Sequence, residues 1–271
     1  MDARESKPGY HRCELTDKRR LGPDVHLLTL ALEQPIKGVY PFSFVMVTVP
    51  GRPEFLLKRP LSIFYGPGDD KKDRVEVLVR TAGEGTKTLS SAPTGTRFDL
   101  TGPFGNAYEV PGERVCVVAG GIGAAGIYLF AKENVSRVSA VYFGSTTAWE
   151  PAFYEILESV GAPLEIATDD GTLGRRGMVT DLLMDLDCET VVACGPPAML
   201  ERVYELSSEA GILAYGSFEA RMACGVGACR GCALPVKPEK TGGKEYLMVC
   251  KDGPLFDMKI INWERYRAAG I

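Results

Sequence analysis

The sequence predicts a β plus α/β protein built from three units: a small antiparallel barrel, a parallel sheet with helices, and a short cysteine-bearing tail. Three observations carry this. Up to about Tyr108, short apolar strands are divided by Gly and Pro, with little helical periodicity. After Pro111, continuous apolar runs alternate with helical segments. Near the C-terminus, four cysteines stand in the pattern Cys224-x4-Cys229-x2-Cys232 and then Cys250.

In chain order, Val25 to Leu32 and Phe44 to Val49 read as strands. Arg74 to Arg80 alternates at Val75, Val77 and Val79, as a half-buried strand does. Gly83-Glu84-Gly85-Thr86-Lys87-Thr88-Leu89 reads as a glycine turn offering backbone donors, and Thr101 to Asn106 as a tight turn leaving the barrel. The α/β rhythm opens with Val115 to Val118, a strand buried on both faces. A glycine turn and an apolar helix follow. Strands are then expected at Val138 to Phe143, Leu164 to Ala167 and Thr190 to Cys194. Helices are expected at Pro151 to Val160, Val179 to Leu186 and Pro197 to Ala210, the last with Pro in its first turn and Gly211 just past its end. In such a sheet, ligands bind beyond the carboxyl ends of the strands. From about Gly216 onward the tail is too short for a core of its own, so a bound group is expected to hold its fold.

A binuclear iron–sulfur cluster needs four thiolates folded tightly around it. Glycines at 225, 227 and 231 allow positive φ and turn N–H groups toward the sulfurs. The x4/x2 spacing is that of plant-type 2Fe–2S ligation. A structural zinc site is the alternative, but it normally pairs two C-x2-C knuckles and only one is present. Disulfides are the weaker alternative, because eight cysteines in 271 residues without an export signal fit a reducing cytosol.

Gly121, Gly123 and Gly126 form a literal GxGxxG between a strand and a helix, where a phosphate can approach the backbone and the helix N-terminus. The acidic residue expected about 20 positions on, for the ribose hydroxyls, is missing. The strand there ends in Phe143-Gly-Ser-Thr-Thr147, which disfavours a standard Rossmann dehydrogenase. Arg59-Pro60-Leu61-Ser62 lies at a barrel strand end, where a guanidinium can neutralise a diphosphate and a hydroxyl can bond a flavin nitrogen. Leu78-Val79-Arg80 supplies a second strand end. Cys194, at a strand's carboxyl end, is read as facing a nicotinamide, whereas Cys13, Cys116 and Cys188 are read as free thiols. His11 and His26 lack ligand spacing, and Trp149 and Trp263 are read as packing anchors.

A net charge of −4 argues against a nucleic-acid footprint, which needs a clustered basic face. Val115 to Ala131 carries no charge, yet a buried strand, a glycine turn and a helix explain it better than a membrane span. No paired carboxylates or nucleophilic triad stand out.

Taken in order, these motifs resemble the ferredoxin reductase superfamily, and within it the electron-transfer subunits of class 1B dihydroorotate dehydrogenases. The resemblance runs from Arg59-Pro-Leu-Ser62 through Gly-Glu-Gly-Thr-Lys-Thr-Leu89, Gly-Pro-Phe-Gly-Asn106 and Cys194-Gly-Pro-Pro-Ala-Met-Leu200. It ends with Glu219 to Cys232 and the lone Cys250. It implies a six-stranded FAD-binding barrel (1–108), an NAD-binding α/β domain (109–215) and a small 2Fe–2S domain (216–271). By the resemblance, FAD is held by Arg59, Pro60, Leu61, Ser62, Leu78, Val79, Arg80, Gly85 and Thr86. NAD lies near Gly121, Gly123, Cys194 and Gly195, and the cluster is held by Cys224, Cys229, Cys232 and Cys250. A separate catalytic subunit carrying FMN oxidises dihydroorotate in such proteins. Electrons pass from FMN through the cluster and FAD to NAD, in a cytoplasmic heterotetramer of two plus two chains serving pyrimidine biosynthesis. Neither a nucleic acid nor a membrane is an expected partner.

Three departures from the family pattern stand out. Ala124-Ala125-Gly126 replaces the usual proline after the glycine turn, which bears on nicotinamide binding. Arg175-Arg176 could meet a 2′-phosphate, leaving NADP open beside a solvated-loop reading. The gap from Cys232 to Cys250 is longer than usual. Two other functions stay open: an electron-transfer module of another NAD(P)-linked oxidoreductase, such as a sulfide dehydrogenase or ferredoxin–NADP reductase-like complex, and a non-enzymatic redox sensor.

Overall fold

The computed structural model describes residues 8–65 and 73–270. The first unit contains β1 (Gly9–Arg20), β2 (Val25–Leu32), β3 (Phe44–Val47), β4 (Arg59–Ser62), β5 (Arg74–Arg80), α1 (Glu84–Ser91) and β6 (Arg97–Phe104). Its strands pair antiparallel in the order β4-β3-β6-β1-β2-β5. A bridge between Ile63 and Val77 joins the two ends and nearly closes the barrel. Val75, Val77 and Val79 point inward with Leu15, Leu30, Val45 and Leu100, as the alternation in β5 predicts.

Two expected turns here are regular structure. Gly83 to Leu89 is the start of α1, whose one face buries Gly85 and Leu89. Thr101 to Phe104 is the end of β6, because Thr101 pairs with Tyr10 on one side and Met46 on the other, and these ladders keep the chain extended. The turn comes only at Gly105, with φ of 98°.

The second unit comprises β7 (Val115–Gly120), α2 (Ala124–Glu133), β8 (Val138–Ser145), α3 (Pro151–Glu158), β9 (Leu164–Thr168), β10 (Arg175–Arg176), β11 (Thr190–Cys194), α4 (Pro197–Glu209) and β12 (Leu213–Ser217). The uncharged stretch from Val115 to Ala131 is therefore β7, the glycine turn and α2. Among the described residues no helix is long and apolar enough to cross a membrane. The helix expected at Val179 to Leu186 is instead one 3-10 turn over Val179–Leu182. The Asp181 carboxylate accepts from the Met178 N–H at 2.9 Å and tightens that turn, while Met184 is exposed and offers no apolar face to extend it.

The third unit adds β13 (Ala233–Pro235), β14 (Tyr246–Met248), α5 (Val249–Asp252), β15 (Leu255–Asp257) and α6 (Trp263–Ala269). β13 and β14 form a hairpin, whereas β15 joins the large sheet antiparallel to β12. That sheet runs β10-β9-β8-β7-β11-β12-β15, parallel from β10 to β12. β12 spans the expected boundary between residues 215 and 216. The tail was expected to depend on a bound group for its fold, yet Phe218, Phe256, Met258, Trp263 and Tyr266 share one apolar core with Val118, Leu200 and Val203. A segment this short gains burial by leaning on a ready-made sheet face.

The opposite face of the sheet carries α2 and α3 and meets the outside of the barrel. Phe64 stacks on Tyr128 at 4.5 Å between ring centres, and Phe42 lies 5.4 Å from Phe130. This apolar seam, continued by Leu21, Val25 and Leu78, sets the barrel against the strand ends where a ligand would bind.

Candidate functional site

The four predicted thiols come together. Cys224, Cys229 and Cys232 sit in the loop before β13, and Cys250 arrives on α5. Cys232 and Cys250 are buried with their sulfurs 3.2 Å apart; Cys224 and Cys229 form a second, more open pair. Backbone N–H groups of Val226 and Cys229 reach Cys224 Sγ at 3.4 Å, that of Gly227 reaches Cys250 Sγ at 3.1 Å, and that of Gly231 reaches Cys229 Sγ at 3.4 Å. The donor from Cys229 is the main reason the Cys224 thiol falls to about 6. Burial, and then the neighbouring Cys232, push Cys250 up to about 12. Among the described residues no three His, Cys, Asp or Glu groups converge as a single ion would need. Two thiol pairs fringed by N–H donors instead suit a two-iron cluster, each pair serving one iron and the donors facing the sulfurs.

Gly225 and Gly227 have φ of 74° and 78°, the left-handed turns that aim those N–H groups inward. A side chain on Gly225 would press on Met46 and Phe104 at 3.0 and 3.3 Å, so the loop lies directly on β3 and β6 of the barrel.

On the barrel, Arg59 and Gly85 meet. A Cβ at Gly85 would fall 2.5 Å from Arg59 Nε, so the missing side chain is what admits the guanidinium. Arg59 also donates to Leu57 O at 2.5 Å and lies over the Phe55 ring. The first turn of α1 follows Gly83, which has no side chain to cap its N–H groups. Thr86 Oγ1 accepts from Ala82 and Gly83 N–H at 3.0 and 3.1 Å and holds that turn. A guanidinium beside an uncapped helix start fits a diphosphate. The Ile63–Val77 bridge brings the ends of β4 and β5 together, setting Ser62 near Leu78. Leu61 and Val79 are spent on the barrel core and Leu78 on the seam, so only their backbone groups remain for a flavin. Pro60 is half-buried opposite Met46.

A cleft of about 760 Å³ separates the barrel from the sheet. Its walls include Arg80 at the end of β5, the turn Gly120 to Gly123, Ser145 to Thr147, Asp169, and Gly195 with Pro196. Gly121, with φ of 52°, has nothing within 4 Å of a would-be Cβ and leaves its backbone open to the cleft. Gly123 serves differently: a Cβ there would lie 2.2 Å from Cys194 O, so glycine lets α2 start directly on β11. Cys194 is buried, its thiol against Gly126 and hydrogen-bonded with Ser217, and burial pushes it up. Gly195, rather than Cys194, forms the cleft wall at that strand end. Arg175 donates to Asp181 O at 3.0 Å, and Arg176 lays its stem over Gly171; neither lines the cleft.

Three cleft residues were missed from sequence. Glu219, just past β12, is reached from the cleft, but the protein crowded around it raises its carboxyl above the usual range, with Arg80 opposing. Tyr266 of α6 shares that end of the cleft, and burial, then Glu219, push it up to about 12. Asp169 follows β9 at its carboxyl end, the position where an α/β sheet binds ligands, and that rule was the available signal. No local pattern could have marked Glu219 or Tyr266.

Known proteins resemble the chain in both sequence and fold. Residues 219–262 match the iron–sulfur cluster binding domain of dihydroorotate dehydrogenase B, and residues 12–108 match the oxidoreductase FAD-binding domain. The dihydroorotate dehydrogenase B (NAD(+)) electron transfer subunit of Caldanaerobacter subterraneus subsp. tengcongensis is 34% identical over 248 residues, covering 90% of this chain and 95% of that one. The subunit of the same name from Shouchella clausii is 36% identical over 254 residues, covering 90% and 95%. Among solved structures, the NADH-dependent reduced ferredoxin-NADP oxidoreductase superposes with a TM-score of 0.80 at 23% identity, covering 94% of this chain and 91% of that chain. The ferredoxin reductase of carbazole 1,9a-dioxygenase gives 0.63 at 19% identity, covering 76% and 67%.

Proposed function

The chain belongs to the dihydroorotate dehydrogenase B electron transfer subunits, and from that membership we propose that it carries electrons between a catalytic dehydrogenase subunit and NAD. The observation that carries this reading is the seating of the four-thiol loop on the barrel through Gly225, Met46 and Phe104. It puts the cluster site and the flavin site on one packed unit. When bound, FAD exchanges a hydride with NAD and the cluster relays the electrons singly.

The chain's own residues bind and orient. Cys224, Cys229, Cys232 and Cys250 would hold the two irons, and the Gly227 and Gly231 N–H groups temper the charge on the sulfurs. Arg59 and the first turn of α1, with Gly85 and Thr86, would hold the FAD diphosphate, and Ser62 with the β5 end would border the flavin ring. Gly121 and the start of α2 would receive the nicotinamide dinucleotide's diphosphate. Arg80 and Glu219 border the same cleft.

The partner in this reading carries FMN and oxidises dihydroorotate. The complex is a cytoplasmic heterotetramer of two plus two chains acting in pyrimidine nucleotide formation. Isolation of the intact complex should yield FMN, FAD, and two irons with two sulfides per copy of this chain, and dihydroorotate should drive NAD reduction. A complex with those cofactors but no turnover of dihydroorotate would overturn the substrate assignment and favour a module serving another NAD(P)-linked oxidoreductase.

A further inference from the structure

We propose that Phe55 is a positioning residue for the flavin cofactor: its ring holds the Arg59 guanidinium in place for the FAD diphosphate without discharging it. The inference rests on the reading of Arg59 and the start of α1 as the diphosphate site.

The segment between β3 and β4 is built to present this ring. Arg52, Pro53, Glu54 and Phe55 form a turn closed by the Phe55 N–H, which donates to Arg52 O at 3.0 Å. Pro53 presets the first central position of that turn, and the Arg52 guanidinium pairs with the Glu54 carboxylate. A phenylalanine at the end of such a turn usually anchors a core. Phe55 does not: it belongs to none of the three apolar clusters of the described residues, and its neighbours Leu56 and Leu57 are 90% and 51% exposed. Its half-buried ring lies instead beneath two guanidiniums. Arg52 Cζ is 4.8 Å from the ring centre and Arg59 Cζ is 5.2 Å from it, both within cation–π range.

The two cations differ in what is left of them. Arg52 is paired with Glu54, whereas among the described residues no carboxylate pairs with Arg59. Lys58, the residue before it, turns away to the Tyr10 ring. One end of the Arg59 fork, Nη1, donates to Leu57 O at 2.5 Å. The opposite edge faces the first turn of α1, since a Cβ at Gly85 would fall 2.5 Å from Nε and 2.7 Å from Nη2. That edge carries two parallel N–H donors, the arrangement that grips a phosphate, and among the described residues it meets no acceptor.

A carboxylate would fix this guanidinium equally well, but it would cancel the charge that a diphosphate needs. An aromatic ring holds the cation through its quadrupole and leaves both donors of the free edge available. A fork that is already set also loses less rotamer freedom when the anion arrives. The aromatic side chain four residues ahead of Arg59 is explained by this service and by no core that it fills.

The purified complex is depleted of FAD with a chaotropic salt, and rebinding of FAD is followed by calorimetry. Phe55→Leu should weaken FAD about 5-fold. Phe55→Trp, with a stronger ring face, should hold the affinity or improve it. Arg59→Ala should weaken FAD more than Phe55→Leu does. Adding Phe55→Leu to Arg59→Ala should bring no further loss, because the ring then has nothing to hold. Melting of the FAD-depleted protein should be the same for wild type and Phe55→Leu. Unchanged affinity in Phe55→Leu, or an equal loss in Phe55→Trp, overturns the proposal. So does a full additive loss in the double variant, which would mean that the ring meets FAD itself. Lower melting of FAD-depleted Phe55→Leu assigns the ring to packing and overturns it as well. In each of these cases, weakened binding in Arg59→Ala still upholds the diphosphate site, whereas unchanged binding in that variant brings down both.

Discussion

The loops Gly120 to Gly126 and Gly225 to Gly231 look alike in composition and use glycine for different reasons. In the first, the critical absence is volume: the 2.2 Å between a would-be Cβ at Gly123 and Cys194 O leaves no room for any side chain. In the second, it is conformation, since Gly225 and Gly227 occupy left-handed backbone so that their loop can close on sulfur. One loop packs protein against protein and stays formed on its own. The other arranges donors and thiols around a group that must be bound. Damage at Gly123 should therefore read out in folding stability, and damage to the second loop in metal content.

The largest expected break is at the sulfurs. Cys250→Ser should reduce iron and acid-labile sulfide in the purified complex close to zero, while bound FAD persists, because β15 and α6 remain anchored in the sheet's own core. Loss of both cofactors together would show instead that the tail folds only around its cluster.

A smaller but substantial effect is expected at Gly123→Ala. Its new methyl meets backbone rather than a yielding side chain. It should cost about 1–3 kcal/mol in a denaturation measurement, with iron content unchanged. Equal iron loss in this variant would erase the distinction between the loops.

Glu219 lies between the two loops and sharpens the comparison through pH. Between the ordinary carboxylate value of 4.5 and its raised native value, the folded protein holds more protons than the unfolded chain. Wild-type stability should accordingly fall as pH rises through that interval and level off above it. Glu219→Gln lacks this dependence, so its stability relative to wild type should climb over the same interval. Parallel thermal-melting profiles of the two proteins across pH 4 to 8 would contradict the crowding of that carboxyl.

The mildest effect belongs to Gly121→Ala. Only the left-handed φ opposes it, for about 1 kcal/mol, since open space surrounds the added methyl. Its mark should be a raised KM for NADH with little change in melting. A drop in stability matching that of Gly123→Ala would mean that both glycines serve packing.

Much of this was legible in the chain. The alternation of Val75, Val77 and Val79 marked a barrel strand, and the spacing of Cys224, Cys229 and Cys232 marked a cluster loop, because both patterns are local and periodic. The helix expected at Val179 to Leu186 failed for a local reason too: Met184 is exposed, and Asp181 curls the first turn back on Met178. Glu219, Tyr266 and Asp169 left no such trace. Each draws its role from neighbours far off in sequence, such as Arg80 beside Glu219 and Ser145 beside Asp169.

By itself, the order of residues determined the kinds of element, the spacing of the thiols and the glycine positions, since backbone propensity and residue spacing act over a few residues. Only the folded structure decided which strand ends share a wall, which guanidinium stays free of a carboxylate, and that the tail borrows its core from the sheet. Those outcomes depend on packing and electrostatics summed over segments that meet only once the chain has folded.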